Sequence, residues 1–380
     1  MLDFIYENKC EIHFGKLPES RIIECIKKFG GTTVLLHYGG GSIIKNGLYA
    51  KIRKAFTDAN LKLVELGGVC PNPIQKLAMQ GVDIARREMV DFVLAVGGGS
   101  VIDSAKFIAA GVNNKDIWDY YSGKKNADDL KNVLPVGAVL TIPSAGSECS
   151  TPAGIKIESC GKKYWIRTEK IRPKFAFINP EYCTTVPLCQ IAYGASDIFS
   201  HLFERFFADD SVGDSIVTDK LLIGAMHALL ELAPKVYADI NDHDSLANFC
   251  VLGSIAQNNM LSMGRGRGCF ASHDIDETLL SGLKDIAHGE GLAIVIPAYL
   301  KLMQKKKPRR VEQFTREVIS IAGLEKFYKS LGLPVRLSDM NISADEIKTL
   351  AKLNFPANIR LGGYGQLNIK EIESVLELAK

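Results

Sequence analysis

The segment DFVLAVGGGSVIDSAK, residues 91–106, decides how the first half of this chain is expected to fold. Residues 91–96 form a largely apolar run that ends in Gly97, Gly98 and Gly99, and a helical pattern follows over 101–110. An apolar run of this length is typical of a buried strand, and glycines at its end let the chain turn tightly into a helix. The segment therefore predicts a strand–turn–helix unit of a parallel sheet.

The turn in this unit also has the chemistry of an anion site. The first N–H groups of a helix lack intrahelical partners, and glycines let a phosphate approach the backbone closely. The spacing differs from the G-x-G-x-x-G fingerprint, so a plain tight turn without a ligand stays open as an alternative. A second GGGS at 39–42 favours ligand binding, because both turns would lie at the carboxyl edge of one sheet.

Similar units extend on either side of this segment. Strand-like runs occur at 33–37, 62–67, 136–141 and 175–178, and helical patterns at 49–59 and 74–87. After residue 187 the pattern changes to long helix-periodic segments without a convincing strand, at 195–208, 214–232, 244–260, 289–304, 309–322, 343–352 and 369–379. We therefore predict an α/β dinucleotide-binding domain over 1–186 and an all-α domain over 187–380.

The composition excludes several classes of protein. The 380 residues carry a formal net charge of +3, too close to neutral to indicate nucleic-acid binding, and the basic run at 305–310 is typical of a solvated helix junction. No apolar run approaches the ~18 residues expected of a membrane helix, and no signal peptide is visible. Nine scattered cysteines without a C-x-x-C favour a reducing cytoplasm over a disulfide framework.

The first glycine turn bears on cofactor choice. In many dinucleotide sites an acidic residue after this strand binds the 2′-OH of the adenosine ribose. A ribose that carries a 2′-phosphate is incompatible with that carboxylate, because both groups are negatively charged. Residues 38–42, YGGGS, contain no acidic residue, whereas Ser42 and Lys45 are suited to a phosphate. The turn therefore favours NADP(H) over NAD(H), unless it binds nothing and Lys45 lies in solvent.

The chain also carries candidate metal ligands. In GASDIFSH, residues 194–201, Asp197 and His201 are four apart and would share one helix face. Such a pair alone is more typical of a surface or core contact, but His273 and His288 supply two further imidazoles. One carboxylate and three imidazoles suit Fe²⁺ or Zn²⁺.

Several of these motifs together resemble one family. GGGSVIDSAK, TIPSAGSE, GASDIFSH and AHGEGLAI, with YGGGS, resemble the iron-containing (group III) alcohol dehydrogenases, especially the butanol dehydrogenase and NADPH-dependent aldehyde reductase branch. The resemblance implies the dehydroquinate-synthase-like fold, a cleft between its two domains, and a homodimer. It assigns cofactor binding to Gly39, Gly40, Gly41, Ser42, Gly98, Gly99, Ser100, Asp103, Thr141, Ala145, Ser150 and Lys163, and metal binding to Asp197, His201, His273 and His288.

The chain departs from the family pattern near the third ligand. Members usually place the last two histidines fourteen residues apart, but His273 and His288 are fifteen apart, so that Asp274 falls at the ligand position counted from His288. A one-residue insertion would reconcile the count, and we favour His273. Where family members often have a histidine that lines the substrate pocket, this chain has Glu277, which is the one candidate for a catalytic side chain; the general base is otherwise unassigned. Arg265 and Arg267 are expected in an exposed loop.

The function implied is metal-dependent transfer of hydride between NADP(H), or NAD(H), and a primary alcohol or aldehyde such as butanol or butanal. The metal would polarise the substrate oxygen and the nicotinamide would carry the hydride. Two alternatives remain: a dehydroquinate-synthase-like lyase, at which the two loop arginines hint, and a non-catalytic relative that binds nucleotide or metal.

Overall fold

The computed structural model of the chain describes residues 1–209, 211–213 and 215–380, and it divides into two compact units. One is an α/β unit, Glu7–Val186, and the other is a helical unit, Pro187–Lys380, which also includes Met1–Tyr6. The amino-terminal residues join the helical unit through contacts such as the bond that Leu2 N–H donates to the carbonyl of Gly264 (3.1 Å). The expected domain beginning at residue 1 therefore differs from the α/β unit by this short segment.

The α/β unit alternates strands and helices. Its elements in chain order are β1 (Glu11–Phe14), α1 (Ser20–Lys28), β2 (Thr33–Gly39), α2 (Ser42–Lys45), α3 (Leu48–Asp58), β3 (Lys62–Val69), α4 (Gln75–Arg87), β4 (Phe92–Gly97), α5 (Gly99–Gly111), α6 (Ile117–Tyr121), β5 (Val136–Leu140), β6 (Pro152–Lys156), β7 (Lys163–Arg167) and β8 (Phe175–Ile178). The predicted strands and the predicted parallel sheet are confirmed, whereas β1 and the β6–β7 hairpin were not predicted.

The main sheet has the strand order β1-β8-β5-β4-β2-β3, and all of its pairs are parallel. Every residue of β4 is buried, as expected of a central strand with both faces covered. On one face Phe92 packs in a core with Ile26 of α1 and Phe56 of α3. Burial of these apolar side chains fixes the helices on the sheet.

The topology brings the glycine turns together. The chain passes from β2 outward to β3 and then returns to place β4 on the other side of β2, so strand order reverses between β2 and β4. Tyr38 pairs with Val96, and Gly97 pairs with Leu140 at the end of β5. The carboxyl ends of three adjacent strands therefore meet at the switch point, where ligands of open α/β sheets bind.

The helical unit confirms the prediction for the second half. It contains α7 (Leu188–Phe207), α8 (Ile216–Ala238), α9 (His243–Gln257), α10 (Ala271–Ile275), α11 (His288–Lys306), α12 (Pro308–Glu317), α13 (Ile321–Ser330), α14 (Ala344–Asn354) and α15 (Ile369–Leu378), with a π-helical turn at Asp276–Leu280. The segment 309–322 is two helices rather than one, because Ser320 caps α13 by accepting from Gly323 N–H (3.0 Å). No described helix is long and apolar enough to span a membrane.

Candidate active site

Helix α7 brings the first two candidate ligands together. Asp197 and His201 lie one turn apart on the same face, and both are buried. The Nε2 atom of His201 lies 3.5 Å from Oδ1 of Asp197. A buried carboxylate is costly unless a cation or hydrogen-bond donors compensate it.

The two distant histidines face the same carboxylate oxygen. The Nε2 atoms of His273, on α10, and of His288, the first residue of α11, lie 3.7 and 3.8 Å from Oδ1 of Asp197. The ligand atoms of Asp197, His201 and His273 all lie within 4.8 Å of one another. Ligands bonded to a tetrahedral Zn²⁺ at its usual bond lengths would be about 3.4 Å apart, so this spacing fits a shared metal ion.

Two of these atoms lack a protein partner. Oδ1 of Asp197 and Nε2 of His273 are buried and make no hydrogen bond to any described residue. Such atoms are rare in native structures and call for a specific explanation. Since both point to the centre of the cluster, a metal ion is the simplest partner for them.

Two carboxylates behind the histidines were missed by sequence reasoning. Nδ1 of His273 donates to Glu204 Oε2, and Nδ1 of His288 donates to Asp276 Oδ2, each at 2.5 Å. Glu204 also accepts the backbone N–H of Ser272 through its other oxygen (2.8 Å). These bonds leave the Nε2 lone pairs directed at the cluster, the carboxylate–histidine arrangement typical of metal sites.

The electrostatics of the cluster favour a cation. Burial alone would raise the pKa of Asp197, but the imidazoles of His201, His273 and His288 hold it below its usual range. Burial lowers the pKa of His201, which stays neutral as a ligand must. Burial also favours a lower pKa for His273 and His288. The adjacent carboxylates of Glu204 and Asp276 have the larger effect, and the pKa of each imidazole is raised.

The π-helical turn accommodates the unusual spacing. A π turn contains one residue more than an α turn, and it lies within the fifteen residues that separate His273 from His288. The first residue of the π turn is Asp276, whose carboxylate binds His288. A Cβ atom at Gly291 would overlap the carboxylate of Asp276, so position 291 requires glycine. Among the described residues, Asp274 is not part of the converging set. The structure thus brings His273 to the cluster.

Each of the two glycine turns lies between a strand and a helix, as the sequence predicted. Gly98 precedes the first turn of α5, whose backbone begins at Gly99 and Ser100. Gly41 has φ +114°, a conformation that strongly favours glycine, and it precedes α2 at Ser42. Gly39 and Gly40 lie in the same turn, and a Cβ atom added at Gly40 would meet no atom within 4 Å. The first turn therefore leaves backbone open to a ligand.

Three other predicted cofactor-binding residues differ in whether their polar groups already have partners within the protein. Both oxygens of Asp103 are bonded within the unit, to Ser147 Oγ (2.6 Å) and to Gly154 N–H (3.0 Å), so this carboxylate ties α5 to its neighbours. The hydroxyl of Ser150 is buried without a partner among the described residues. Lys163 begins β7, and its ammonium lies 4.2 Å from the ring centre of Trp165.

The remaining predicted residues lie close to the second glycine turn. Thr141 follows β5 directly and is buried, and its backbone N–H donates to Gly97 (3.1 Å). A Cβ atom at Gly99 would lie 3.5 Å from that of Ala145. Thr141 and Ala145 therefore lie next to the glycine turn that precedes α5.

One expectation about the 264–268 loop is wrong. Arg265 is 4% exposed and pairs with Asp219, which also binds Arg310 through both carboxylate oxygens (2.7 and 2.8 Å). A buried arginine needs such a partner, and this requirement overrides the loop's glycine-rich composition. Of the two arginines, only Arg267 is exposed.

The chain is similar to known proteins over its whole length. Residues 10–180 match the family model of iron-containing alcohol dehydrogenases, and residues 191–380 match the C-terminal model of the same family. A probable NADH-dependent butanol dehydrogenase of Bacillus subtilis is 35% identical over 99% of both chains. The NADPH-dependent aldehyde reductase YqhD of Escherichia coli is 31% identical over 93% of this chain and 92% of its own. The crystal structure of NADH-dependent butanol dehydrogenase A from Thermotoga maritima superimposes with a TM-score of 0.92 at 33% identity, covering 100% of this chain and 99% of that one.

The chain belongs to the iron-containing alcohol dehydrogenase family. It is an NAD(P)-dependent oxidoreductase that interconverts alcohols and aldehydes. The predicted family, fold and reaction class are thereby confirmed, and the lyase and non-catalytic alternatives are not supported.

Proposed function

We propose that this enzyme transfers hydride between NADP(H) and a primary alcohol or aldehyde of about the size of butanol or butanal. One divalent ion, Fe²⁺ or Zn²⁺, is held by Asp197, His201, His273 and His288. The observation that carries this proposal is the convergence of three imidazole Nε2 atoms within 3.5–3.8 Å of a buried carboxylate oxygen that has no hydrogen-bond partner among the described residues.

The side chains around the ion each have a defined task. Asp197 contributes a negative charge, and Glu204 and Asp276 hold the His273 and His288 rings in the tautomer that presents Nε2. His288 is 24% exposed, so the cluster opens toward solvent or substrate on its side. When bound, the ion acts as a Lewis acid on the substrate oxygen, and the nicotinamide supplies or accepts the hydride. No protein nucleophile is required.

The cofactor binds at the switch point of the α/β unit in this proposal. The N-terminus of α5 receives the pyrophosphate, because its N–H groups and positive dipole end favour an anion. Ser42 and Lys45 are exposed beside the first glycine turn, which supports a ribose 2′-phosphate and hence NADP(H). Relatives of both cofactor types occur, NADH-dependent and NADPH-dependent, so the preference needs a direct measurement.

A homodimer in the cytoplasm is the proposed state of the protein. β1 is an edge strand of the main sheet, and its outward residues Ile12 and Phe14 are 45% and 40% exposed. An unpaired edge with apolar side chains is suited to pairing with a second copy. None of the nine cysteines, all of which lie in the described part of the chain, forms a disulfide, which supports a reducing compartment.

The decisive experiment is the oxidation of NADPH and of NADH with butanal before and after removal of metal. Chelated enzyme should be inactive and should recover on addition of Fe²⁺ or Zn²⁺, whereas the His201→Ala variant should not recover. The Asp274→Asn variant is the matched control and should retain activity. Turnover that is independent of metal would contradict the proposal, and NADH preferred over NADPH would contradict its cofactor part alone.

A further inference from the structure

A second cluster of metal-binding side chain types lies in the α/β unit. Glu11 and His13 on β1 and Cys25 on α1 each offer one ligand atom, and these atoms lie within 4.8 Å of one another. Residues 11 and 13 share one face of the strand because side chains alternate, and this face meets α1. The cluster contains a thiol, an imidazole and a carboxylate.

The distances inside this cluster match those around a metal ion. Nε2 of His13 lies 3.4 Å from Sγ of Cys25 and 3.3 Å from Oε2 of Glu11. Sulfur, nitrogen and oxygen ligands of a tetrahedral Zn²⁺ would be about 3.4–3.6 Å apart. A single ring nitrogen carries either one N–H or one lone pair, so it cannot make a good hydrogen bond to both neighbours. A cation between the three atoms removes this conflict.

The surroundings hold the three side chains in place. The His13 ring meets Phe175 edge-on with ring centres 6.4 Å apart. Lys28 pairs with Oε1 of Glu11, which leaves Oε2 facing His13. Cys25 is buried, whereas Glu11 and His13 are partly exposed, so an ion can enter from the solvent side and keep one position for water.

We propose that Glu11, His13 and Cys25 form a second divalent-metal site with a preference for Zn²⁺, separate from the Asp197 cluster. The thiolate provides the preference, because sulfur ligands select Zn²⁺ over harder ions. The ion links the edge strand β1 to α1. Binding replaces the thiol proton with the metal ion, so affinity increases with pH.

The test uses Co²⁺ as a probe on the metal-free full-length enzyme. A Co²⁺–thiolate bond gives a near-ultraviolet charge-transfer band, which a site of nitrogen and oxygen ligands does not give. We expect this band in the wild type and in His201→Ala, its loss in Cys25→Ser, and at least a ten-fold weaker affinity in His13→Gln. Added Zn²⁺ should remove the band.

Two further variants sharpen the result. Cys189→Ser, at an exposed cysteine, is the matched control and should keep the band. Lys28→Gln should bind Co²⁺ roughly three- to ten-fold more tightly, because it removes a positive charge beside Glu11. A band that is absent from the wild type, or that persists in Cys25→Ser, overturns the proposal. If Cys25→Ser does not fold, unchanged affinity in His13→Gln overturns it instead.

Discussion

Replacing Asp276 by Asn should weaken metal binding without touching any proposed ligand. The Asp276 carboxylate is buried and accepts from Nδ1 of His288 at 2.5 Å and from Ser281 Oγ at 2.9 Å. Asparagine has the same shape but lacks the charge, so His288 loses both basicity and a fixed tautomer. Loss of such a partner typically costs 10- to 100-fold in metal affinity, or about 1.4–2.7 kcal/mol.

The assay is a competition titration of metal-free protein against a chromophoric chelator with Zn²⁺ and with Fe²⁺. Asp274→Asn is the matched control, since it makes the same chemical change two residues away outside the converging cluster. We expect its affinity to stay within about three-fold of the wild type, an effect of lost long-range attraction only. Thermal unfolding of both metal-free variants checks that each is folded.

The opposite ranking would refute the reasoning. If Asp276→Asn binds as tightly as the wild type, the carboxylate does not orient His288 in the way the structure indicates. If Asp274→Asn loses more affinity than Asp276→Asn, then Asp274 rather than His273 is the third ligand.

Three other predictions follow from single side chains. His37 is buried, and burial lowers its pKa to about 4, so below pH 6.5 the unfolded chain binds a proton at this residue more readily than the folded chain does. Between pH 6.5 and 4 the free energy of unfolding of the wild type should therefore fall by up to about 1.4 kcal/mol per pH unit more than that of His37→Asn. The measurement is the urea midpoint of unfolding, which should fall more steeply with decreasing pH in the wild type. Lys45→Glu should raise the KM for NADPH roughly ten-fold, about 1.4 kcal/mol, with little change for NADH, and equal changes in steady-state kinetics would argue against a 2′-phosphate at this turn. Glu277→Gln should lower kcat less than about ten-fold, whereas a loss of 10²–10⁴ would identify it as a general acid or base.

Much of the fold could be predicted because several strands of the main sheet are largely apolar runs flanked by turn residues such as glycine, proline and asparagine. Strands β2, β3, β4, β5 and β8 each show this pattern. Strand β1, EIHF, was not predicted because it has only four residues and alternates polar with apolar side chains. The β6–β7 hairpin was not predicted because its strands carry lysines. Its stability depends instead on the packing of Ile155 and Ile166 against the helices, which is a tertiary contact.

The candidate site was predictable only in part. Asp197 and His201 are one helical turn apart, and Glu204 follows at the next turn of the same face, so the D-x-x-x-H-x-x-E spacing contained a signal for the third residue. Asp276 had no such signal, since its contact with His288 depends on a π turn that residue patterns do not reveal. Tertiary contacts, rather than local propensity, decide such positions.

The most direct test of the central claim is anomalous diffraction at the metal edge from crystals of Fe²⁺- or Zn²⁺-loaded enzyme. We predict a peak bonded at about 2.0–2.2 Å to one oxygen of Asp197 and to the Nε2 atoms of His201, His273 and His288. No peak at this position, or a peak bonded to Asp274 in place of His273, would contradict the account.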